Sequence, residues 1–200
     1  NNQAVKKGYL FFAIVGNKFN GCDFIDEAIQ KGAVSIIAPE SYKKKINTNI
    51  PIIKVSNTRK ALAFAASKFF IKKPKNILAV TGTNGKTSIA YFVKMLLEKF
   101  HVKAASVGTL GIIGNEKARL QNTTPDPITL HHSLSKFYDQ SYNHVIIEAS
   151  SHGLDQYRMD GFNINMGIFT NITRDHYDYH KNYENYERAK FRLFNEILKP

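Results

Sequence analysis

Ala79-Val80-Thr81-Gly82-Thr83-Asn84-Gly85-Lys86-Thr87-Ser88 decides the fold, because it joins an apolar strand to a helix through a turn that carries two glycines and ends in Lys-Thr. Ile77 to Val80 is a short apolar run suited to a buried strand, and Ile89, Phe92, Val93, Leu96, Leu97 and Phe100 recur at helical spacing. Gly82 and Gly85 permit torsions and a close approach that a Cβ would obstruct, so several N–H groups can converge on one anion at the helix start. The stretch reads as a phosphate-binding loop. Lys86 supplies a mobile positive charge, and the Thr87 hydroxyl is the expected Mg²⁺ ligand. Val80 stands where the commoner G-x-x-x-x-G-K-[ST] loop has its first glycine, so the narrower signature is Gly-Thr-Asn-Gly-Lys-Thr.

Working outward, the second half of the chain alternates strand and helix. Val102–Val107 predicts a strand and Thr109–Ile113 with Gly114-Asn115 a hairpin. Asp126-Pro127 opens a helix that runs to about Gln140, with proline at its tolerated first position. His144–Glu148 and Met166–Thr170 predict further strands, and a last helix extends from about Asn182 to Lys199. This order implies α/β architecture with a doubly wound, mostly parallel sheet. The first half reads as a small α/β domain: a buried strand over Leu10–Val15, a helix capped by Asp23 and stopped by Gly32, strands over Val34–Ala38 and Ile50–Val55, then a helix capped by Ser56 or Asn57. Lys72-Lys73-Pro74-Lys75-Asn76 breaks that helix, which places the expected domain boundary between 1–73 and 74–200.

Of 200 residues, 43% are hydrophobic, enough for a packed core, and 28 Lys and Arg against 16 Asp and Glu give a formal charge of +12. The charge favours anionic partners such as nucleotides or phosphorylated substrates. No nucleic-acid reading module accompanies it, so nucleic acid is not an expected partner. Cys22 is the single cysteine, which excludes an intrachain disulfide and suits a reducing cytoplasm. No apolar run approaches the ~20 residues of a membrane span.

Ligands of open α/β sheets gather beyond the carboxyl ends of the strands, and Glu148 stands at such an end after His144-Val145-Ile146-Ile147. It is placed to hold a metal on bound phosphates. Ala149 to Arg158 is unusually polar for a connection after so apolar a strand. Asp175, His176, Asp178 and His180 crowd one segment, which makes zinc a rival to Mg²⁺. On the final helix Lys190 falls on the apolar stripe of Tyr186, Ala189, Leu193, Phe194 and Ile197. Its amine must extend to water, find a buried partner, or capture carbon dioxide as a carbamate able to ligate a metal.

Gly82-Thr83-Asn84-Gly85-Lys86-Thr87, Asn122-Thr123-Thr124-Pro125, Glu148 through Leu154, Phe169 through His180 and Ala189 through Phe194 together resemble the Mur ligases, in the branch that adds the third amino acid of the peptidoglycan stem. The resemblance implies an ATP-dependent, amide-forming enzyme of cell-wall synthesis. In it Gly82, Thr83, Asn84, Gly85, Lys86, Thr87 and Ser88 would bind ATP, with Lys86 on the phosphates and Thr87 on a first Mg²⁺. Glu148 would serve both metal ions, and His176 with a carbamylated Lys190 would complete the second. Asn122, Thr123, Thr124, Ser150, Gln156 and Arg158 would hold a UDP-MurNAc-dipeptide. Asn2, Asn17, Lys18 and Phe19 would line its uridine end, although Asn1-Asn2-Gln3 stands where the family usually has Asp-Ser-Arg. The chain would be a fragment, incomplete at the C-terminal end of its central domain, of a full-length monomer that works in the cytoplasm. Two other readings stay open: a folylpolyglutamate-synthetase-like ligase, separable by competition with a folate, and a non-catalytic nucleotide-binding module, separable by ATP hydrolysis that depends on Lys86.

Overall fold

The computed structural model describes residues 2–16 and 19–198. The chain divides into two compact units, Asn1–Leu62 and Ala63–Pro200, and the division falls inside a helix, α2 (Thr58–Phe69).

In the first unit three parallel strands, β1 (Leu10–Phe12), β2 (Ser35–Pro39) and β3 (Ile52–Val55), pair in that order. Central β2 buries Ile36, Ile37 and Ala38, while Ile53 on edge strand β3 is half exposed. The expected strand Leu10–Val15 is shorter. Ala13 still donates to the Ile37 carbonyl, but the chain then turns, and an isolated antiparallel bridge pairs Val15 with Asn20. Gly21 makes that turn possible, since a Cβ there would sit 2.5 Å from the Ile14 nitrogen. The next helix is not capped by Asp23. Asn20 accepts from the Cys22 N–H instead, a 3-10 turn follows over Gly21–Phe24, and α1 occupies Ile25–Gln30. Asn57, the second of the two expected caps, closes the start of α2 by accepting from the Arg59 and Lys60 N–H groups.

The second unit is built on a six-stranded sheet. β4 (Asn76–Thr81), β5 (Ala104–Gly108), β8 (His144–Glu148) and β9 (Met166–Phe169) run parallel, and β6 (Gly111–Ile113) and β7 (Lys117–Ala118) add the expected hairpin, giving the order β7-β6-β5-β8-β4-β9. Side-chain alternation divides the core. Ile77, Ala79, Ala105, Val107, Val145 and Ile147 face α4 (Pro127–Asp139) through Leu130, Leu134 and Phe137, whereas Leu78, Val80, Ala104 and Ile146 face α3 (Lys86–Lys99) through Ile89, Ala90, Val93 and Leu97. The sheet is thus covered on both sides. The stripe expected on α3 is only half used: Phe92, Leu96 and Phe100 are more than half exposed, because one helix can lay a single i, i+4, i+8 row on a flat sheet. The last helix also differs from expectation. After α5 (Ser151–Asp155) and α6 (Tyr177–His180), α7 (Tyr183–Arg192), capped by Asn182, widens into a π-helical turn over Leu193–Ile197 and ends there, with Leu198 extended and bridged to Ile164; Lys199 lies outside the described residues. Parallel register brings Val80, Glu148 and Ile168 side by side, so the residues that follow these strands gather on one rim of the sheet.

Candidate active site

β4 delivers its chain to that rim at Thr81, and the loop Gly82 to Gly85 carries it into α3. Gly82 has φ 143, and a Cβ on it would lie 1.9 Å from the Thr170 Oγ1. Gly85 is left-handed at φ 84 and occupies the N-cap of α3 without offering a side-chain acceptor. The first-turn N–H groups of Lys86, Thr87 and Ser88 are therefore left for an outside acceptor at the positive end of a helix dipole. The loop is held from behind: Thr83 N–H donates to the Asn171 carbonyl at 2.9 Å, Asn84 N–H to Asn171 Oδ1 at 3.1 Å, and Thr170 Oγ1 to the Asn84 carbonyl at 2.6 Å. Lys86 folds over it and donates to the Gly82 and Thr83 carbonyls, each at 2.8 Å. Burial lowers the pKa of this amine, while Glu148 and Asp175 oppose the shift.

Glu148 ends β8 and is 3% exposed. Its carboxylate accepts from the Thr109 N–H at 2.9 Å, the Thr109 hydroxyl at 3.0 Å and the Thr87 hydroxyl at 2.7 Å. Gly108 leaves room for it, since a Cβ there would stand 2.0 Å from Oε1. Two hard oxygen donors, the Thr87 hydroxyl and the Glu148 carboxylate, thus meet beside the open start of α3, a donor set that fits Mg²⁺.

Of the six muropeptide candidates, Thr124, Ser150, Gln156 and Arg158 form one hydrogen-bonded chain. The Thr124 hydroxyl donates to the Glu148 carbonyl at 2.7 Å and lies 3.0 Å from Ser150 Oγ. Arg158 donates to the Thr124 carbonyl at 2.6 Å and to Gln156 Oε1 at 2.8 Å, and Gln156 passes the chain to the Tyr179 hydroxyl. Thr123 reaches Thr109 at 3.1 Å. Asn122 is exposed and joins none of them. Ser150 also caps α5, a helix hidden in what reads as a polar connection; it accepts from the Gly153 N–H at 3.1 Å.

Lys190 is 1% exposed, so of the three fates open to its amine, extension to water does not occur. Its amine donates to the Gly82 carbonyl at 2.6 Å and lies 4.5 Å from the centre of the Tyr186 ring. Burial and the nearby Lys86 charge lower its pKa to about 7, against an opposing pull from Asp175. His176 is half exposed and left-handed at φ 54, with Nε2 3.5 Å from Asp175 Oδ2. The rings of His152 and His180 stand nearby, His152 at 4.9 Å from His176 and 5.4 Å from His180. Among the described residues no three His, Cys, Asp or Glu side chains converge as metal ligands, so Asp175, His176, Asp178 and His180 do not assemble a zinc site.

In the first unit Phe19 is 72% exposed and meets Phe24 edge to face at 6.4 Å, beside a cavity of about 500 Å³ lined by Gln3, Phe11, Phe12 and Phe24. Asn17, Lys18 and the side chain of Asn2 lie outside the described residues.

Three participants escaped sequence reasoning. Thr109 follows the carboxyl end of β5, so the same strand-end rule that found Glu148 points to it. Asn171 follows β9 in the same way. Tyr186 showed only as part of an apolar stripe, and nothing local signalled its hydroxyl, which lies 2.9 Å from Thr83 Oγ1.

The family model described as the Mur ligase middle domain matches residues 80–200, and the one described as Mur ligase family, catalytic domain, matches residues 1–70. The chain is 45% identical over 204 residues to the UDP-N-acetylmuramoyl-L-alanyl-D-glutamate--2,6-diaminopimelate ligase of Bradyrhizobium diazoefficiens, and 40% identical over 199 residues to the protein of the same name from Aquifex aeolicus. These alignments take in 100% and 98% of this chain but 41% and 40% of the relatives, so the chain spans about two fifths of their length. A solved structure of a ligase of that name superposes with a TM-score of 0.81 at 29% identity, covering 97% of this chain and 39% of that one. A MurF ligase from Thermotoga maritima in complex with ADP shares the fold, with a TM-score of 0.59 at 23% identity over 96% of this chain and 41% of that one. Signature, fold and relatives agree that the chain belongs to the Mur ligase family.

Proposed function

We propose that this chain carries the substrate- and ATP-binding part of a ligase that joins 2,6-diaminopimelate to UDP-N-acetylmuramoyl-L-alanyl-D-glutamate. The observation that carries the reading is the uncapped start of α3 with Lys86 folded over its loop and the Thr87 and Glu148 oxygens 2.7 Å apart beside it. The names of the relatives support the choice of substrate and of third amino acid.

In this reading the loop from Gly82 to Ser88 binds the ATP phosphates through the open first-turn amides of Lys86, Thr87 and Ser88, while Asn171 holds the Thr83 and Asn84 amides, and Lys86 leaves the Gly82 and Thr83 carbonyls to follow the transferring group. A carboxylate is a poor acyl donor. The terminal glutamate carboxylate of the muropeptide therefore attacks the γ-phosphorus, ADP departs, and the resulting acyl phosphate yields to the incoming amine with release of phosphate. Thr87 and Glu148 would hold one Mg²⁺, and Glu148, His176 and a carbamylated Lys190 a second; these ions would neutralise charge on the phosphoryl oxygens. A Lys190 amine whose pKa is lowered to about 7 is neutral in roughly half of the molecules at neutral pH, so its lone pair can attack carbon dioxide, losing one proton as the N–C bond forms. Thr123, Thr124, Ser150, Gln156 and Arg158, together with Asn122, would contact the muropeptide end; Phe19 would contact the uridine end, the role also assigned to Asn2, Asn17 and Lys18.

Calorimetry tests the assignment: UDP-MurNAc-L-Ala-D-Glu should bind more tightly than UDP alone, and equal affinities would remove its basis. Carbon-13 NMR in labelled bicarbonate tests Lys190. A carbamate signal should grow as pH rises through about 7, as the amine loses its proton, and vanish in Lys190→Ala; no signal in the wild type refutes the modification.

A further inference from the structure

The phosphate loop is gripped from two sides. Asn171 and Thr170 hold it from the end of β9, as strand-end residues should. The second grip comes from α7, far away in sequence. Tyr186 and Lys190 stand one turn apart on the same face of that helix, and they reach consecutive loop residues: the Tyr186 hydroxyl lies 2.9 Å from Thr83 Oγ1, and the Lys190 amine 2.6 Å from the Gly82 carbonyl. Tyr186 is 0% exposed, so its hydroxyl has no water to turn to. Its ring is also the surface beneath the Lys190 amine, 4.5 Å away. Thr83 Oγ1 in turn accepts from the Thr173 N–H at 2.9 Å. The threonine side chain thus ties the loop both to the segment after β9 and to α7.

We propose that Tyr186 is a positioning residue, whose hydroxyl fixes the phosphate loop through Thr83 and whose ring seats the Lys190 amine under that loop. It touches no reacting atom. Its effect passes through the loop amides, which must converge before an anion arrives if binding is not to include the cost of ordering them. The inference rests on the nucleotide reading of the loop for its consequence, but its physical content, a loop held from α7, does not.

The test uses Tyr186→Phe, which keeps the ring and removes one oxygen, with Thr83→Val as the variant from the other side of the bond. Amide hydrogen exchange in the free protein should speed up at Thr83 to Lys86 in both variants and stay unchanged along α4. MgADP should bind roughly 3- to 10-fold more weakly, the worth of one ordinary hydrogen bond. Combining the two substitutions should cost no more than the larger single effect, and Thr83→Ser, which keeps the hydroxyl, should lose less affinity than Thr83→Val. Unchanged loop exchange and unchanged MgADP affinity in Tyr186→Phe, or additive losses in the double variant, would overturn the proposal. Should the wild type bind no MgADP, the nucleotide reading falls, and loop exchange alone decides the role of Tyr186.

Discussion

α3 and α4 cover opposite faces of one sheet, yet they begin in opposite ways. α4 closes its own start: Asp126 Oδ1 accepts from the Ile128 and Thr129 N–H groups at 3.0 and 3.1 Å, and Pro127 has no N–H to satisfy. A carboxylate of the chain itself occupies the place where an anion would bind. α2 and α7 are closed similarly, by Asn57 and Asn182. α3 begins on a left-handed glycine with no side-chain acceptor, and a lysine and two hydroxyl residues follow. Burial follows the same division. α4 buries Leu130, His131, Leu134 and Phe137, whereas Ala90 is the one residue of α3 below a tenth exposed. One helix is fastened to the fold, and the other has its end reserved for a ligand.

The largest expected effect lies on the fastened side. His131 is 0% exposed, and its Nε2 lies 3.0 Å from the Asp160 carbonyl. A carbonyl only accepts, so Nε2 carries the proton and the buried Nδ1 is bare. Burial, aided by the charge of Lys73 and opposed by the Asp160 bond, lowers the pKa of this ring to about 4 from its ordinary 6.5. Below 6.5 the unfolded chain takes up a proton that the folded chain refuses. Stability should therefore fall as pH drops from 6.5 toward 4, by about 3 kcal/mol across the window, and level off beneath it. Urea midpoints of wild type and His131→Gln, measured at several pH values through that range, check this. Parallel curves would show that His131 is not the group responsible.

On the open side, Gly82→Ala should spare the fold and cost binding. The new Cβ meets the Thr170 hydroxyl and the Asn171 backbone, and φ 143 suits glycine alone. Backbone strain of about 1–3 kcal/mol at this loop should weaken MgADP by roughly 10- to 100-fold. The pH dependence of stability, which belongs to α4, should not change. Calorimetry and the same urea series measure both, and wild-type affinity in Gly82→Ala would mean that the loop amides are not the ligands.

How much of this was legible in the sequence depends on the distance between partners. The strand, loop and helix from Ile77 to Lys99 could be read directly, because a glycine turn between an apolar run and a helical stripe is local information. Asp126-Pro127 was equally plain. Strand order was not, and the site hangs on it. Thr109 meets Glu148 across 39 positions and Tyr186 meets Thr83 across 103, because β8 lies between β4 and β5 and α7 returns to the loop. The buried pair of Arg192 with Asp160, bonded at 2.6 and 3.0 Å, gave no local signal either. Periodicity also overstated the buried face of α3, since it marks which residues are apolar and not how wide a row the sheet can receive.

The smallest effect sharpens the contrast most directly. Asp126→Ala removes the acceptor for two N–H groups and leaves α4 with an open start of its own, at a cost of about 1 kcal/mol in stability. Its consequence for ligand affinity should be nil. The opened end lacks the other parts that α3 has: its cap position is not a left-handed glycine but a residue at φ −61, its first position holds Pro127 where α3 has Lys86, and Glu148 accepts from Thr87 at the start of α3. Inorganic phosphate should therefore shift the amides at the start of α3 in both wild type and Asp126→Ala, and those at the start of α4 in neither. A phosphate-dependent shift at Ile128 or Thr129 in the variant would mean that an uncapped helix end suffices to bind the anion, and that Lys86, Gly85 and Glu148 contribute less to the choice of site than the contrast between α3 and α4 requires.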